Sequence, residues 1–169
     1  MTSLLKPTAF LSLLLAGAVF GFFYAWVCST MWGLDAIDPR IAIAAMNGMN
    51  DSVRNAVFAL AFFGTPVALI VTAVFAKTAG RDHSAWAFGL AAAMYIVGAF
   101  AVTVVVNVPM NRALLDTAVP DDIDAARAIW TGYSGRWQIF NTLRTALSAG
   151  VLLLTGWGVF RLGAERAGG

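Results

Sequence analysis

Four stretches of this sequence run for twenty or more residues almost without charge: about Thr8 to Trp32, Asn55 to Ala76, Ala85 to Val108, and Trp137 to Phe160. Only the last contains a charged residue, Arg144. A spanning helix needs about 20 such residues and satisfies its backbone polar groups internally. The pattern therefore predicts an all-α fold, an up-down bundle of four transmembrane helices forming a single membrane domain over residues 1–169. Composition agrees, with 60% apolar and 12% charged residues, where a soluble domain has about 25% charged. The first stretch continues through Phe20, Phe22, Phe23, Tyr24 and Trp26, well past the roughly 7 to 15 apolar residues of a signal sequence. It reads as a retained span despite Lys6 and the small residues Ala16-Gly17-Ala18.

Other classes fall away on composition. With one Cys and one His, the chain cannot form an internal disulfide, a thiolate zinc site, a bis-His haem or a two-His iron triad. The formal charge is +2 and no basic run alternates with aromatics, so no nucleic-acid partner is expected. His83 lies in a short polar loop and reads as a solvated loop residue.

The connections are unequal. Lys77 to Ser84 is short, making the second and third spans a tight hairpin. The other two connections are long. Ile41, Ala44, Ala45 and Met49 between Pro39 and Asn50 suggest an interfacial helix, and Pro120-Asp121-Asp122 starts a second one with Ile123, Ala126 and Trp130 on one face. Lys and Arg are evenly shared between the two sides, so orientation rests on lesser signals: Lys6 and Lys77 on the terminal side, and Asp35, Asp38, Asp51, Asp116, Asp121, Asp122 and Asp124 on the long-loop side. Both termini are expected in the cytoplasm.

An up-down bundle brings the long-loop ends of all four helices together, and the polar residues are concentrated there. They are Tyr24 and Cys28 on the first helix; Asn50, Arg54 and Asn55 at the second; Thr103, Asn107 and Asn111 on the third; and Trp137, Asn141, Arg144 and Ser148 on the fourth. Thr103, Asn107 and Asn111 share a face at i, i+4, i+8. Arg144 lies seven residues beyond Trp137, about 10 Å along the axis, where insertion of an arginine costs about 2.5–3.5 kcal/mol. It reads either as a snorkelling or inter-helix arginine or as a ligand-facing charge, and the second is favoured because intramembrane charge is functional by default. Trp130 and Trp137 flank the cluster and suit stacking on a planar ligand, whereas Trp26, Trp32, Trp86 and Trp157 read as interfacial anchors. Gly17 and Gly21 form a GxxxG pair suited to close helix packing, and the same spacing allows a homo-oligomer. Thr65-Pro66 predicts a kink or opened turn, and Asn107-Val108-Pro109 suits a helix exit.

Four runs in order carry a resemblance: Gly21-Phe22-Phe23-Tyr24-Ala25-Trp26, Asn50-Asp51-Ser52-Val53-Arg54-Asn55, Asn107-Val108-Pro109-Met110-Asn111, and the series Trp130, Trp137, Asn141, Arg144, Thr145. Together they resemble the anthrone-oxygenase-like family of small four-helix membrane proteins. The resemblance implies oxidation of an anthrone to an anthraquinone by dioxygen with no metal or flavin cofactor. The protein is then expected in a bacterial inner membrane, its partners the lipid bilayer and a hydrophobic aromatic small molecule. On this reading Arg144, Asn107, Asn141 and Tyr24 serve catalysis by stabilising an enolate, and Arg54, Asn50, Asn111, Trp130 and Trp137 bind the substrate. The base stays open among Asp51, Tyr24 and solvent. Two other classes fit the same residues: a non-catalytic protein that binds or transports a quinone, lipid or small anion, and a structural subunit of a membrane complex.

Overall fold

The computed structural model describes residues 2–167; Met1, Gly168 and Gly169 of the expected 1–169 unit lie outside it. The described residues form helices and no strands. Helix α1 runs as Thr2–Ala25, a π-helical stretch Trp26–Thr30, and Met31–Asp35. Helix α2 is Pro39–Ser52 and α3 is Ala56–Thr78. Helix α4 comprises Asp82–Met94, two π-helical stretches at Tyr95–Ala101 and Thr103–Asn107, and Val108–Leu115. Helix α5 is Ile123–Ala167. Four of them, α1, α3, α4 and α5, are long and apolar enough to cross a membrane. They form a ring in which α1 packs on α3, α3 on α4, α4 on α5 and α5 back on α1.

The helix that carries the fourth span does not start at Trp137: the second interfacial segment and the span are one continuous helix from Ile123. Gly132 and Gly135 each cost about 1 kcal/mol relative to alanine, but Tyr133 and Ser134 between them are buried and keep the segment helical. Nor does α4 end at Pro109. The π stretch just before it widens the turn, which accommodates a ring that lacks an N–H and crowds the carbonyl four residues back.

Helix α3 likewise runs through Pro66 without a break. Proline leaves the carbonyl four residues earlier, on Phe62, without its helical donor. The buried Tyr95 hydroxyl of α4 donates to that oxygen at 2.7 Å, so the lost bond becomes a tie between neighbouring spans. Close packing depends on glycines other than the GxxxG pair: a Cβ on Gly21 would meet nothing within 4 Å, whereas one on Gly98 would sit 3.0 Å from Leu147 Cβ. The small residue is required where α4 meets α5.

Helix α2 is a lid over the long-loop end. Asp38 is its N-cap, accepting the Arg40 N–H at 2.9 Å, and Pro39 takes the first turn, where no N–H is needed. Its buried face is Pro39, Ala42, Ile43 and Met46, with Ala45 and Met49 partly buried against it. Ile41 is exposed instead, because the stripe that meets Leu34, Leu114, Ala126 and Trp130 is set one residue over.

Candidate functional site: an aromatic cavity around Arg144

Beneath the lid lies a cavity of about 420 Å³, within the roughly 300–1,000 Å³ usual for small-molecule sites. Its walls are mainly aromatic and aliphatic: Phe22, Phe23 and Trp26 from α1, Phe58, Phe62 and Phe63 from α3, and Val104 and Val108 from α4. Six of the expected site residues also line it: Asn50, Arg54, Asn107, Asn111, Trp137 and Arg144.

Arg144 is 4% exposed. Its Nη1 donates to Thr103 Oγ1 at 3.0 Å and its Nη2 to Asn141 Oδ1 at 2.9 Å. The Thr103 hydroxyl can accept because its own hydrogen goes to the Ala99 carbonyl at 2.7 Å. Asn141 is fixed in turn, its amide donating to the Phe23 carbonyl at 3.1 Å. The guanidinium carbon lies 4.5 Å from the ring centre of Phe23 and 5.4 Å from that of Trp137, within cation–π range. Among the described residues no carboxylate forms an ion pair with it, and its Nε has no hydrogen-bond partner. The charge is held by neutral dipoles and ring faces, and its capacity for an anion is unspent.

Asn107 is 1% exposed, and neither its Oδ1 nor its Nδ2 is hydrogen-bonded. Leaving a buried polar group unpaired costs about 1–3 kcal/mol, and this amide borders the cavity beside Arg144. Asn111 is different because both its polar atoms are engaged. Its Oδ1 accepts from Tyr133 Oη at 2.8 Å and Trp137 Nε1 at 2.9 Å, while its Nδ2 donates to Asn50 Oδ1 at 2.8 Å. It fixes the Trp137 ring and ties the lid to α4 and α5.

Arg54 sits at the rim, half exposed, 3.9 Å from an exposed Asp51. Asn141 supports Arg144 from behind the cavity wall. Two expected residues lie elsewhere. Tyr24 is 49% exposed and stacks on Phe20 at 5.6 Å on the outer face of α1, since Phe23 takes the inward position. Trp130 packs under the lid and donates from Nε1 to Asp35 Oδ1 at 2.9 Å. The same carboxylate accepts from Ser134 at 2.6 Å and Gln138 at 2.8 Å, clamping the end of α1 to α5.

Other contributors are not marked by polarity. Trp26, expected as an anchor, is buried with its ring 5.1 Å from that of Trp137, whereas Trp32, Trp86 and Trp157 are exposed. Phe23 supplies both the ring over Arg144 and the carbonyl that orients Asn141. The π stretches at Trp26–Thr30 and Thr103–Asn107 border the cavity; such stretches loosen the helical ladder and often mark functional sites. His83, expected in the short loop, lies instead in the first turn of α4, which begins at Asp82 at the opposite end of the bundle.

Fold and site together define a four-helix integral membrane protein with a cationic, aromatic-walled cavity inside the bundle. The chain belongs to the anthrone oxygenase family, which it matches over residues 56–154, more than half its length. That range holds Asn107, Asn111, Trp130, Trp137, Asn141 and Arg144, while Tyr24, Asn50 and Arg54 precede it. No curated protein and no solved structure matches the chain.

Proposed function

We propose that the protein is an oxygenase that converts a lipophilic polycyclic phenol of the anthrone type to the corresponding quinone with dioxygen, without a metal or organic cofactor. The observation that carries this reading is the buried Arg144 guanidinium, without a carboxylate among the described residues, set in an aromatic cavity beside the unpaired Asn107 amide.

An anthrone carries an acidic CH2 opposite its ketone. Loss of one C–H proton to solvent gives an aromatic enolate whose oxygen sits against Arg144, with Asn107 completing the pocket. Fixed donors in a low-dielectric site are most effective at this kind of charge stabilisation. The enolate passes one electron to dioxygen, and the resulting carbon radical and superoxide combine into a C–O bond. Protonation gives a hydroperoxide. Loss of the remaining C–H proton and cleavage of the O–O bond leave C=O and release water, so the ketone and O2 become a diketone and H2O. Solvent is the proton acceptor here, because Asp51 is exposed at the rim and Tyr24 lies outside the cavity. Phe23, Trp26 and Trp137 provide faces for the flat ring system.

The test is oxygen uptake and quinone formation by purified protein given an emodin-type anthrone, with the spontaneous rate subtracted. A rate well above background supports the oxygenase. The paucity of a base favours one second reading, non-catalytic binding or transport of a quinone, lipid or small anion, which gives saturable binding with no oxygen uptake.

A further inference from the structure

Helices α3 and α4 do not stay together along their length. They pack from the short turn up to Tyr95–Ala101, and the π-helical and terminal parts of α4 beyond it, Thr103–Leu115, have no comparable packing on α3. An aromatic group closes the fork from below: the ring of Phe100 lies 5.4 Å from Phe62 and 5.8 Å from Phe63. The lid closes it from above with Met49, Asn50 and Val53, next to Arg54. The cavity occupies the space between. At its outer edge Phe63 is 56% exposed and Val104 48% exposed, on the surface that the apolar spans present to lipid. Between α1 and α3 the ring of Phe22 packs on that of Phe58, centres 4.8 Å apart, and these two rings stand between the cavity and a shallow outer groove on that face.

Depth decides what this opening faces. Phe63 lies eight residues beyond the N-cap Asn55, about 12 Å along the axis at 1.5 Å per residue, below the polar rim marked by Asn55 and Arg54. A slot at that level opens into hydrocarbon. We infer that the ligand reaches Arg144 laterally, from the long-loop leaflet of the bilayer through the slot between α3 and α4, and that the protein therefore takes bilayer-dissolved planar aromatic ketones. Arg54, at the upper edge, meets the polar end of such a molecule at the membrane surface, while the Phe63 and Val104 side chains pass its rings. This rests on the site reading above but not on the oxygen chemistry.

The experiment is stopped-flow quenching of tryptophan emission when protein in phosphatidylcholine vesicles is mixed with vesicles loaded with 1,8-dihydroxyanthraquinone. Val104→Trp, which fills the slot, is expected to slow association at least tenfold, and Phe63→Ala, which widens it, to speed association at least threefold. Leu153→Trp, on the exposed face of α5, leaves the rate unchanged. Association unaltered in both slot variants overturns the lateral route alone. Binding through the slot with no oxygen uptake from an anthrone overturns the oxygenase alone. No saturable quenching in the wild type overturns both.

Discussion

The guanidinium of Arg144 on α5 lies over the ring of Phe23 on α1, 4.5 Å from its centre, and the Phe23 carbonyl holds the Asn141 side chain that holds Arg144. One residue of α1 thus supports the charge with its ring and orients it with its backbone. A charge arranged in this way needs no carboxylate to stay in place, which leaves it available to an anionic ligand.

The unpaired Asn107 amide trades stability for binding. Replacing it with leucine removes two buried unpaired atoms, so Asn107→Leu is expected to raise the stability of the ligand-free protein by about 1 kcal/mol. The same change weakens binding of a dihydroxyanthraquinone about tenfold or more, as the loss of a buried polar contact requires. Thermal unfolding in detergent with and without the quinone measures both.

The Tyr95 hydroxyl serves the carbonyl that Pro66 leaves free. Tyr95→Phe should cost about 1–3 kcal/mol, the range for a buried acceptor deprived of its donor. In a Pro66→Ala background the helix supplies an N–H of its own, and the cost of Tyr95→Phe should fall by about half or more. A double-mutant cycle on unfolding free energies checks this.

Gly98 lets α4 approach α5 at Leu147. Gly98→Val overfills that contact and should destabilise the bundle by about 1–3 kcal/mol, while Gly21→Val, at a position with open space, should have little effect on the monomer. Comparison of the two melting temperatures tests the assignment of the close-packed interface.

The lid has a pH dependence of its own. The Arg40 side chain, and then its backbone N–H, hold the Asp38 carboxyl down at about 2, from an ordinary value of 3.8. A depressed carboxylate contributes stability above its unfolded value and loses it as pH falls through the folded one. The α2 cap should therefore persist at pH 5 and weaken between about pH 4 and pH 2. Hydrogen exchange of the lid amides should show this step in the wild type and lack it in Asp38→Ala.

The fold was largely legible because missing charge is a long-range signal: four stretches with a single charge among them define four helices regardless of local detail. Boundaries were less so. Asn107-Val108-Pro109 reads as a helix exit, yet a π turn absorbs the proline, and the apolar stretch that begins at Trp137 belongs to a helix already running from Ile123. Within the site, depth and helical spacing bring Arg144, Asn107 and Asn141 together, since polar residues inside a span have few places to go. Spacing did not separate Phe23 from Tyr24, because adjacent aromatics in an apolar run differ in direction but not in polarity. Paired and unpaired amides are also alike in sequence: both polar atoms of Asn111 are engaged, by Tyr133, Trp137 and Asn50, and neither of Asn107 is.

The most direct measurement is oxygen uptake with an emodin-type anthrone in vesicles, comparing the wild type with Arg144→Leu and Arg144→Lys, all three shown folded by circular dichroism. If a fixed guanidinium stabilises the enolate, Arg144→Leu loses about 100- to 1,000-fold in kcat/KM, the range for removing a preorganised oxyanion donor. Lysine, with its charge but without the planar donors that reach Thr103 and Asn141 together, recovers only part of it. Wild-type catalysis that survives in Arg144→Leu would contradict the account.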